Sequence, residues 1–163
     1  MKNTFLFLTA FLFVACASTV KNSQKLDDMS DDVRRALQEK CFCIVVNDMM
    51  PQRYFSKNLN SYHDIKVKGN VLESNLPYMG QVQVPSAYSS FPKGLNFTEK
   101  IRDFSQSDNP RKKRVEISLK VKNEEDSYIY NVFIYYNGNA DITVKPSKRD
   151  FVRFHGDLTK IEY

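Results

Sequence analysis

The chain has 163 residues, of which 42% are hydrophobic and 26% charged, and a formal net charge of +5. This length allows one domain with a substantial core and leaves little room for a second. The positive charge is too small and too scattered for a nucleic-acid-binding surface, so we predict no nucleic-acid partner.

The first 15 residues have the form of a signal peptide. Lys2 provides a positive start, and the apolar run over residues 4–15 is too short to cross a bilayer. The run ends in Phe-Val-Ala before Cys16, which resembles a bacterial lipobox, although ordinary cleavage near Ala15 or Ala17 also fits this pattern. We predict that Cys16 is acylated and anchors the chain in a membrane.

Residues 16–28 are predicted to form the lipidated cysteine and a polar tether, and residues 29–163 a single β-rich domain. In envelope lipoproteins, acidic residues directly after the cysteine resemble a surface-export signal. Here the first acidic residue is Asp27, so we expect an anchor in the outer membrane with the domain facing the periplasm.

The first predicted element of the domain is a helix over about residues 31–40. Ser30 is a suitable N-cap, and apolar residues such as Val33 and Leu37 recur every three or four positions. We expect this apolar stripe to pack on a sheet, the alternative being a face that binds a partner.

A strand over residues 41–46 carries Cys41 and Cys43 on one face. A disulfide between residues i and i+2 requires a distorted strand, and neither histidine has a metal-ligand spacing to these cysteines. We predict two buried free thiols, no metal and no cofactor. A redox pair or half of a metal site is the alternative.

A long polar connection is predicted for residues 47–62, followed by a hairpin with strands at 63–68 and 71–76 around Gly69. Residues 77–94 contain three prolines and two glycines and form no regular element. This loop carries Tyr78, Tyr88 and Phe91, aromatic residues of the kind that line binding surfaces. Alternatively, the loop folds over one end of the core and buries them.

Residues 95–105 are predicted to form one bent strand, and residues 106–110 a turn. The basic cluster of the chain follows directly, as Arg111, Lys112, Lys113 and Arg114. These side chains are candidate contacts for the phosphates of anionic lipid or lipopolysaccharide. The alternative is a solvated strand end that keeps a sheet edge soluble.

The clearest pattern lies in the last third of the chain, where strands are predicted at 115–122, 128–136, 140–144 and 151–155. The strand at 128–136 is apolar on both faces, so we expect it to be central and covered on both sides. Asn137 and Gly138 follow, and both are predicted to adopt positive φ in a tight turn. The fold class is therefore mainly β. We expect an antiparallel sheet of about eight strands, a meander that forms a curved or barrel-like sheet, with one N-terminal α-helix packed on it.

Several short segments carry a resemblance to a known family. They are Cys-Phe-Cys-Ile at 41–44, Met-Pro-Gln-Arg at 50–53, Asn-Leu-Asn-Ser-Tyr at 58–62, Lys-Gly-Asn-Val at 68–71, Ser-Asn-Leu-Pro-Tyr-Met-Gly at 74–80 and Asn-Gly-Asn-Ala at 137–140. In this order, over about residues 40–158, they resemble a Bacteroidetes lipoprotein family, domain of unknown function 4251. The resemblance implies an envelope lipoprotein with a β-rich domain, and it brings no catalytic residues.

The sequence contains no nucleophile elbow, zinc-protease motif or phosphate-binding loop, and we predict no catalytic residues. We expect a monomeric, non-catalytic binding or scaffold module whose partner is an envelope protein or a glycan. One alternative is a carrier that holds a small apolar ligand inside a curved sheet, and an enzyme is a third possibility. A helix that covers Tyr130 and Ile134 would leave no room for such a ligand.

Overall fold

The computed structural model describes residues 29–81 and 94–159. The helix of this part is α1 (Asp31–Glu39), and its ten strands are β1 (Cys41–Pro51), β2 (Lys57–Asn58), β3 (Asp64–Lys68), β4 (Val71–Leu76), β5 (Leu95–Lys100), β6 (Asp103–Asn109), β7 (Arg114–Lys122), β8 (Ser127–Tyr135), β9 (Asn139–Pro146) and β10 (Val152–Thr159). The predicted mainly β fold with one N-terminal helix is confirmed, with ten strands instead of about eight. Within these residues no helix combines the length and hydropathy needed to cross a membrane.

All strands belong to one antiparallel sheet in the order β5-β4-β3-β1-β10-β9-β8-β7-β6, and the short β2 pairs with the second half of β1. The predicted meander over the last four strands is confirmed. The sheet curls into a half-barrel, so that edge strand β5 comes against β7. Phe97 of β5 lies 4.9 Å from Tyr128 of β8, measured between ring centroids, so the two halves of the sheet touch.

The inner face of the half-barrel is filled by its own side chains. Tyr130 of β8 is fully buried, and its hydroxyl donates a hydrogen bond of 3.0 Å to the Ser74 hydroxyl of β4. The same burial raises the pKa of Tyr130. Other large and fully buried side chains include Phe42, Ile44, Ile65, Leu72 and Phe154.

Helix α1 begins at the predicted N-cap and packs on the core as expected. The Ser30 hydroxyl accepts a hydrogen bond from the Val33 amide at 3.3 Å, and the Ser30 amide donates to the Tyr136 carbonyl at 3.2 Å. Lys40 ends the helix in a left-handed conformation with φ of +48°. Val33 and Leu37 join the same buried cluster as the inner face of the sheet.

The polar connection predicted for residues 47–62 is wrong, because β1 continues to Pro51 and residues Lys57–Asn58 form β2. A bulge between Val46 and Asp48 shifts the register of β1 against β10. The bulge returns Met49, three residues after Val46, to the buried face, where it is 2% exposed. This interrupts the alternation by which a strand is recognised.

The single bent strand predicted for residues 95–105 is also wrong. Its two halves are β5 and β6, which lie on opposite edges of the sheet and are joined by Ile101 and Arg102. The Ile101 amide donates to the Asn70 carbonyl at 2.9 Å, and the Arg102 amide to the Lys120 carbonyl at 2.8 Å. Strand β6 then runs to Asn109, so most of the turn predicted for residues 106–110 is strand, and the chain turns only after Asn109.

Strand β8 is covered on one face, not on both as predicted. Tyr130 and Ile134 on its inner face are fully buried, whereas Ile129 on the outer face is 37% exposed. The turn that follows also differs from the prediction, because Gly138 has φ of +97° whereas Asn137 does not have a positive φ. The Gly138 amide donates to the Tyr135 carbonyl at 2.9 Å, as in three-residue hairpin loops that need one left-handed glycine.

Candidate binding site on the outer sheet face

Outward-facing side chains of β6 to β10 form rows that cross the strands. Residues paired in neighbouring strands lie in one row, with about 4.8 Å between adjacent strands. One row consists of Ser105, Ser118, Asn131, Thr143 and Arg153, one residue from each of five strands. We call this row the polar row. Its first four side chains are all short and carry a hydroxyl or an amide.

The polar row is the floor of an open depression of about 560 Å³, here called the outer depression. Longer side chains border it, with Glu116 and Phe133 on one side and Lys145 and Phe151 on the other. The outer depression therefore results from differences in side-chain length over a continuous sheet, and the paired strands beneath give it a rigid base.

The short polar side chains of this floor have no side-chain partner in the described part of the chain. Ser118, Asn131 and Thr143 are half-buried, yet they form no side-chain hydrogen bond with any residue of the described segments. By contrast, the Asn109 amide donates to Glu116 at 3.0 Å, at the border of the outer depression. A molecule lying on the polar row would therefore meet donors and acceptors that have no protein partner.

The wall at Glu116 carries little net charge. The guanidinium of Arg114 donates to one carboxylate oxygen of Glu116 at 2.8 and 3.0 Å, and these hydrogen bonds lower the pKa of Glu116. The same guanidinium lies 3.8 Å above the centre of the Phe133 ring. Arg114 is thus held by both an acid and an aromatic ring, which fixes this wall.

The β9–β10 end of the outer depression is positively charged. Lys145 and Arg153 form no ion pair with an acidic side chain in residues 29–81 or 94–159. The Arg153 guanidinium lies 5.2 Å from the centre of the Phe151 ring, so its position is guided by an aromatic face and its charge stays available. Two cations therefore lie at the β9–β10 end of the outer depression, Lys145 on its border and Arg153 in the polar row itself.

A histidine and an aspartate lie next to the outer depression, in the neighbouring row. His155 Nδ1 is 2.8 Å from one carboxylate oxygen of Asp141, and the Tyr135 hydroxyl donates to the other at 2.9 Å. An oriented histidine is one part of a nucleophilic site, which also needs a nucleophile within hydrogen-bonding reach. In the described part of the chain, no serine, threonine or cysteine side chain is hydrogen-bonded to the His155 ring.

Of the aromatic residues predicted for a binding loop, Tyr78 is half-buried and attached to the turn between β9 and β10. Its hydroxyl donates to the Asp150 carbonyl at 2.9 Å, and the Arg149 guanidinium lies 4.8 Å from its ring centre. Burial raises the pKa of Tyr78 to about 12. Tyr88 and Phe91 lie outside the described residues, so the predicted binding role of this loop stays a prediction.

A buried carboxylate completes this attachment. Asp150 is 1% exposed and accepts hydrogen bonds from Arg53 Nε at 3.0 Å and from the Gln81 amide at 3.1 Å. The Leu-Pro-Tyr-Met-Gly segment at 76–80 therefore connects β4 to the turn between β9 and β10, on the other side of β1 in the sheet. Its place in the structure indicates a structural contribution of this segment.

The predicted basic cluster is divided by the fold. Arg111, Lys112 and Lys113 are exposed in the connection from β6 to β7, which contains a short 3₁₀ turn at Pro110–Lys112. Arg114 instead belongs to β7 and holds Glu116. Contact of these four residues with phosphates stays a prediction, and the structure brings only the first three together at the surface.

The cysteines contribute a structural thiol. Cys43 is a buried free thiol, as predicted, whereas Cys41 is half-buried and not buried as predicted. Cys43 Sγ lies 3.7 Å from a carboxylate oxygen of Asp64, to which it donates, and burial raises the pKa of this thiol. Lys66 pairs with the same carboxylate at 3.0 Å. Cys16, the predicted lipidation site, lies outside the described residues, and within them no three His, Cys, Asp or Glu side chains are grouped to hold a metal ion.

Three comparisons place the chain among known proteins. None of the curated proteins matches it. It is similar to the crystal structure, at 1.95 Å resolution, of a DUF4251 family protein from Bacteroides eggerthii DSM 20697, with a TM-score of 0.61 and 16% identity over 78% of this chain and 85% of that chain. Identity this low shows a shared fold alone. The family model of a domain of unknown function (DUF4251) matches residues 24–158. The chain therefore belongs to the DUF4251 family, as the order of its short motifs suggested.

Proposed function

We propose that this protein is a non-catalytic binding module of the cell envelope, anchored by a lipid on Cys16 and exposed to the periplasm as a monomer. The anchor is supported by the sequence of residues 1–16, in which a short apolar run ends at a cysteine. The binding role is supported by the outer depression.

The observation that carries the proposal is the contrast between the two faces of the sheet. The inner face is filled, and two of its buried hydroxyls, those of Tyr130 and Ser74, bond to each other. The outer face instead has a concave floor whose hydroxyl and amide groups are partly buried and have no partner in the described chain. Partly buried polar groups without partners are costly unless water or a ligand satisfies them.

The same contrast favours surface binding over the carrier alternative. Tyr130 and Ile134 are fully buried in a cluster that includes Val33 and Leu37 of α1. The side chains of this cluster occupy the space that an apolar ligand would need. A carrier would need this cluster to open, and each buried aromatic side chain that it exposed to water would cost about 2 kcal/mol.

Within the residues that the structure describes, no serine, threonine or cysteine side chain is hydrogen-bonded to the His155 ring, so the contacts of this histidine give the enzyme alternative no support. The Tyr135–Asp141–His155 contacts are hydrogen bonds between neighbouring strands, and such cross-strand pairs stabilise sheets.

The binding role can be tested by site-specific photocrosslinking in intact cells of the source bacterium. The photoreactive amino acid p-benzoylphenylalanine is placed at Lys145, on the border of the outer depression, or at Lys68 in the distant β3–β4 hairpin, both exposed. We expect an adduct from position 145 that is absent or much weaker from position 68. Equal adducts at the two positions, or none at position 145, would contradict binding at the outer depression.

The anchor has a separate test. In cells fed radiolabelled palmitate, the wild-type chain is expected to incorporate the label and to sediment with the outer membrane. Cys16→Ser is expected to lose both properties, because the acyl chain supplies the apolar area that holds the protein on the lipid. A Cys16→Ser chain that still sediments with membranes and carries label would show that Cys16 is not the lipidated residue.

A further inference from the structure

We infer that the outer depression binds an oligosaccharide that carries isolated carboxylate groups. This inference rests on the proposed function and adds to it the chemical class of the ligand. It follows from the type of surface, from the polar groups of the floor, and from the distribution of charge around them.

The strands beneath the outer depression, β7, β8 and β9, are each paired on both sides, so their backbone amides and carbonyls are used within the sheet. A peptide cannot add there as an extra strand, because strand addition requires an unpaired edge. Recognition at this face must come from side chains.

Ser118 and Thr143 present hydroxyls, and Asn131 between them presents an amide with two donors and one acceptor oxygen. A row of groups that both donate and accept matches a ligand dense in hydroxyls, each of which also donates and accepts. The whole polar row crosses five strands, or about 19 Å, which suits an extended oligomer better than a compact molecule.

Lys145 on the border and Arg153 at the end of the polar row have no acidic partner among the described residues, whereas the charge of Glu116 is already matched by Arg114. A guanidinium suits the flat, two-oxygen geometry of a carboxylate. The ligand is therefore expected to combine its hydroxyls with negative groups.

The density of that negative charge is limited by the next row. Asp141 lies beside the floor and pairs with His155, which in turn pairs with Asp48 on β1, so both acids lie in this row. These acids would repel a polyanion with a charge on every unit, such as a nucleic acid. Isolated carboxylates, which can be placed at Lys145 and Arg153 alone, avoid this repulsion. An acidic sugar at intervals along a neutral glycan has this pattern.

The test uses the mature chain and a hexasaccharide of alternating glucuronate and N-acetylglucosamine, titrated by isothermal calorimetry in low salt. The neutral hexamer of N-acetylglucosamine and an oligoglutamate peptide with the same number of carboxylates serve as comparison ligands. We expect the uronate hexasaccharide to bind more tightly than both. Arg153→Gln is expected to weaken its binding about tenfold, because a hydrogen bond between charged groups is lost. Asn131→Ala is expected to weaken it without changing its salt dependence.

Lys68→Gln is the matched control, since it removes one exposed positive charge far from the outer depression, and binding should stay within about twofold of wild type. All variants are first compared by thermal unfolding, so that a lost site is not confused with a lost fold. Equal or tighter binding of oligoglutamate, absent binding of the uronate hexasaccharide, or unchanged binding in Arg153→Gln would overturn the inference. If the crosslink from position 145 persists in those cases, the binding role survives and only the ligand class is wrong.

Discussion

The hydrogen bond between Tyr130 and Ser74 tests directly whether the inner face of the half-barrel is closed. Tyr130→Phe removes the donor and leaves the Ser74 hydroxyl, which is 3% exposed, without its partner. Ser74→Ala leaves the Tyr130 hydroxyl unpaired in the same interior. Each single substitution is expected to lower the free energy of unfolding by about 1–3 kcal/mol, because a buried polar group loses its hydrogen bond. The double variant removes both groups and should cost clearly less than the sum.

Urea unfolding followed by far-UV circular dichroism measures the four free energies, since the chain has no tryptophan to report by fluorescence. We expect a coupling energy of about 1–2 kcal/mol between the two positions. For a domain of this size, a loss of about 1 kcal/mol corresponds to a fall of roughly 3–5 °C in Tm. Small and strictly additive effects would mean that both hydroxyls are hydrated. The interior would then be open to solvent, and the carrier interpretation would regain support.

Three further predictions follow from local contacts. Gly156→Ala should cost about 3 kcal/mol in urea unfolding or prevent folding, because its Cβ would overlap the Val45 carbonyl oxygen of the neighbouring strand. Ser30→Ala should lower the free energy of unfolding by about 1 kcal/mol, because the helix cap is lost. Ser30→Asp should retain most of the stabilisation by the cap, and equal losses in the two variants would exclude capping as the cause. Tyr78 has a pKa raised to about 12 by burial, above the unfolded value of about 10, so its protonated form stabilises the fold below pH 10 and this contribution is lost as pH rises towards 12. Stability measured across this window should fall less in Tyr78→Phe than in wild type, and an equal fall would contradict the burial of this hydroxyl.

Features set by neighbouring residues could be predicted from the sequence. The cap at Ser30 and the hairpin at Gly69 each depend on a few consecutive residues, and both are found in the structure. The bulge between Val46 and Asp48 was missed because it places the buried residues Val46 and Met49 three positions apart, which breaks the two-residue alternation of a strand.

The division of residues 95–109 between two edges was missed for a different reason. Apolar residues at 95, 97, 101 and 104 suggest one continuous element, and nothing local reveals that Ile101 bonds to Asn70 while Arg102 bonds to Lys120. Only the closure of the sheet determines these two partners. Asn137 shows the converse error, because a residue that is typical of positive-φ turn positions does not adopt a positive φ here.

The candidate site could not be predicted because its residues are ordinary in type and distant in sequence. Ser118, Asn131 and Thr143 become a row only through the register of three strands. His155 and Asp141 meet in the same way, across β9 and β10. The aromatic and basic residues that the sequence made prominent are used differently, since Tyr78 attaches the segment after β4 and Arg114 holds Glu116.

The short link of Ile101 and Arg102 has a consequence for how this protein would fail. It joins the two edge strands, so the Cα atoms of Lys100 and Asp103 cannot separate by more than about 11 Å while the chain is intact. A protease cut at this link would remove that limit, and the two edges could then separate. The unpaired backbone groups of β5 and β6 would then be presented to other molecules, which is how exposed edge strands start to aggregate. The Ile101–Arg102 link thus limits how far the two edges of the sheet can separate.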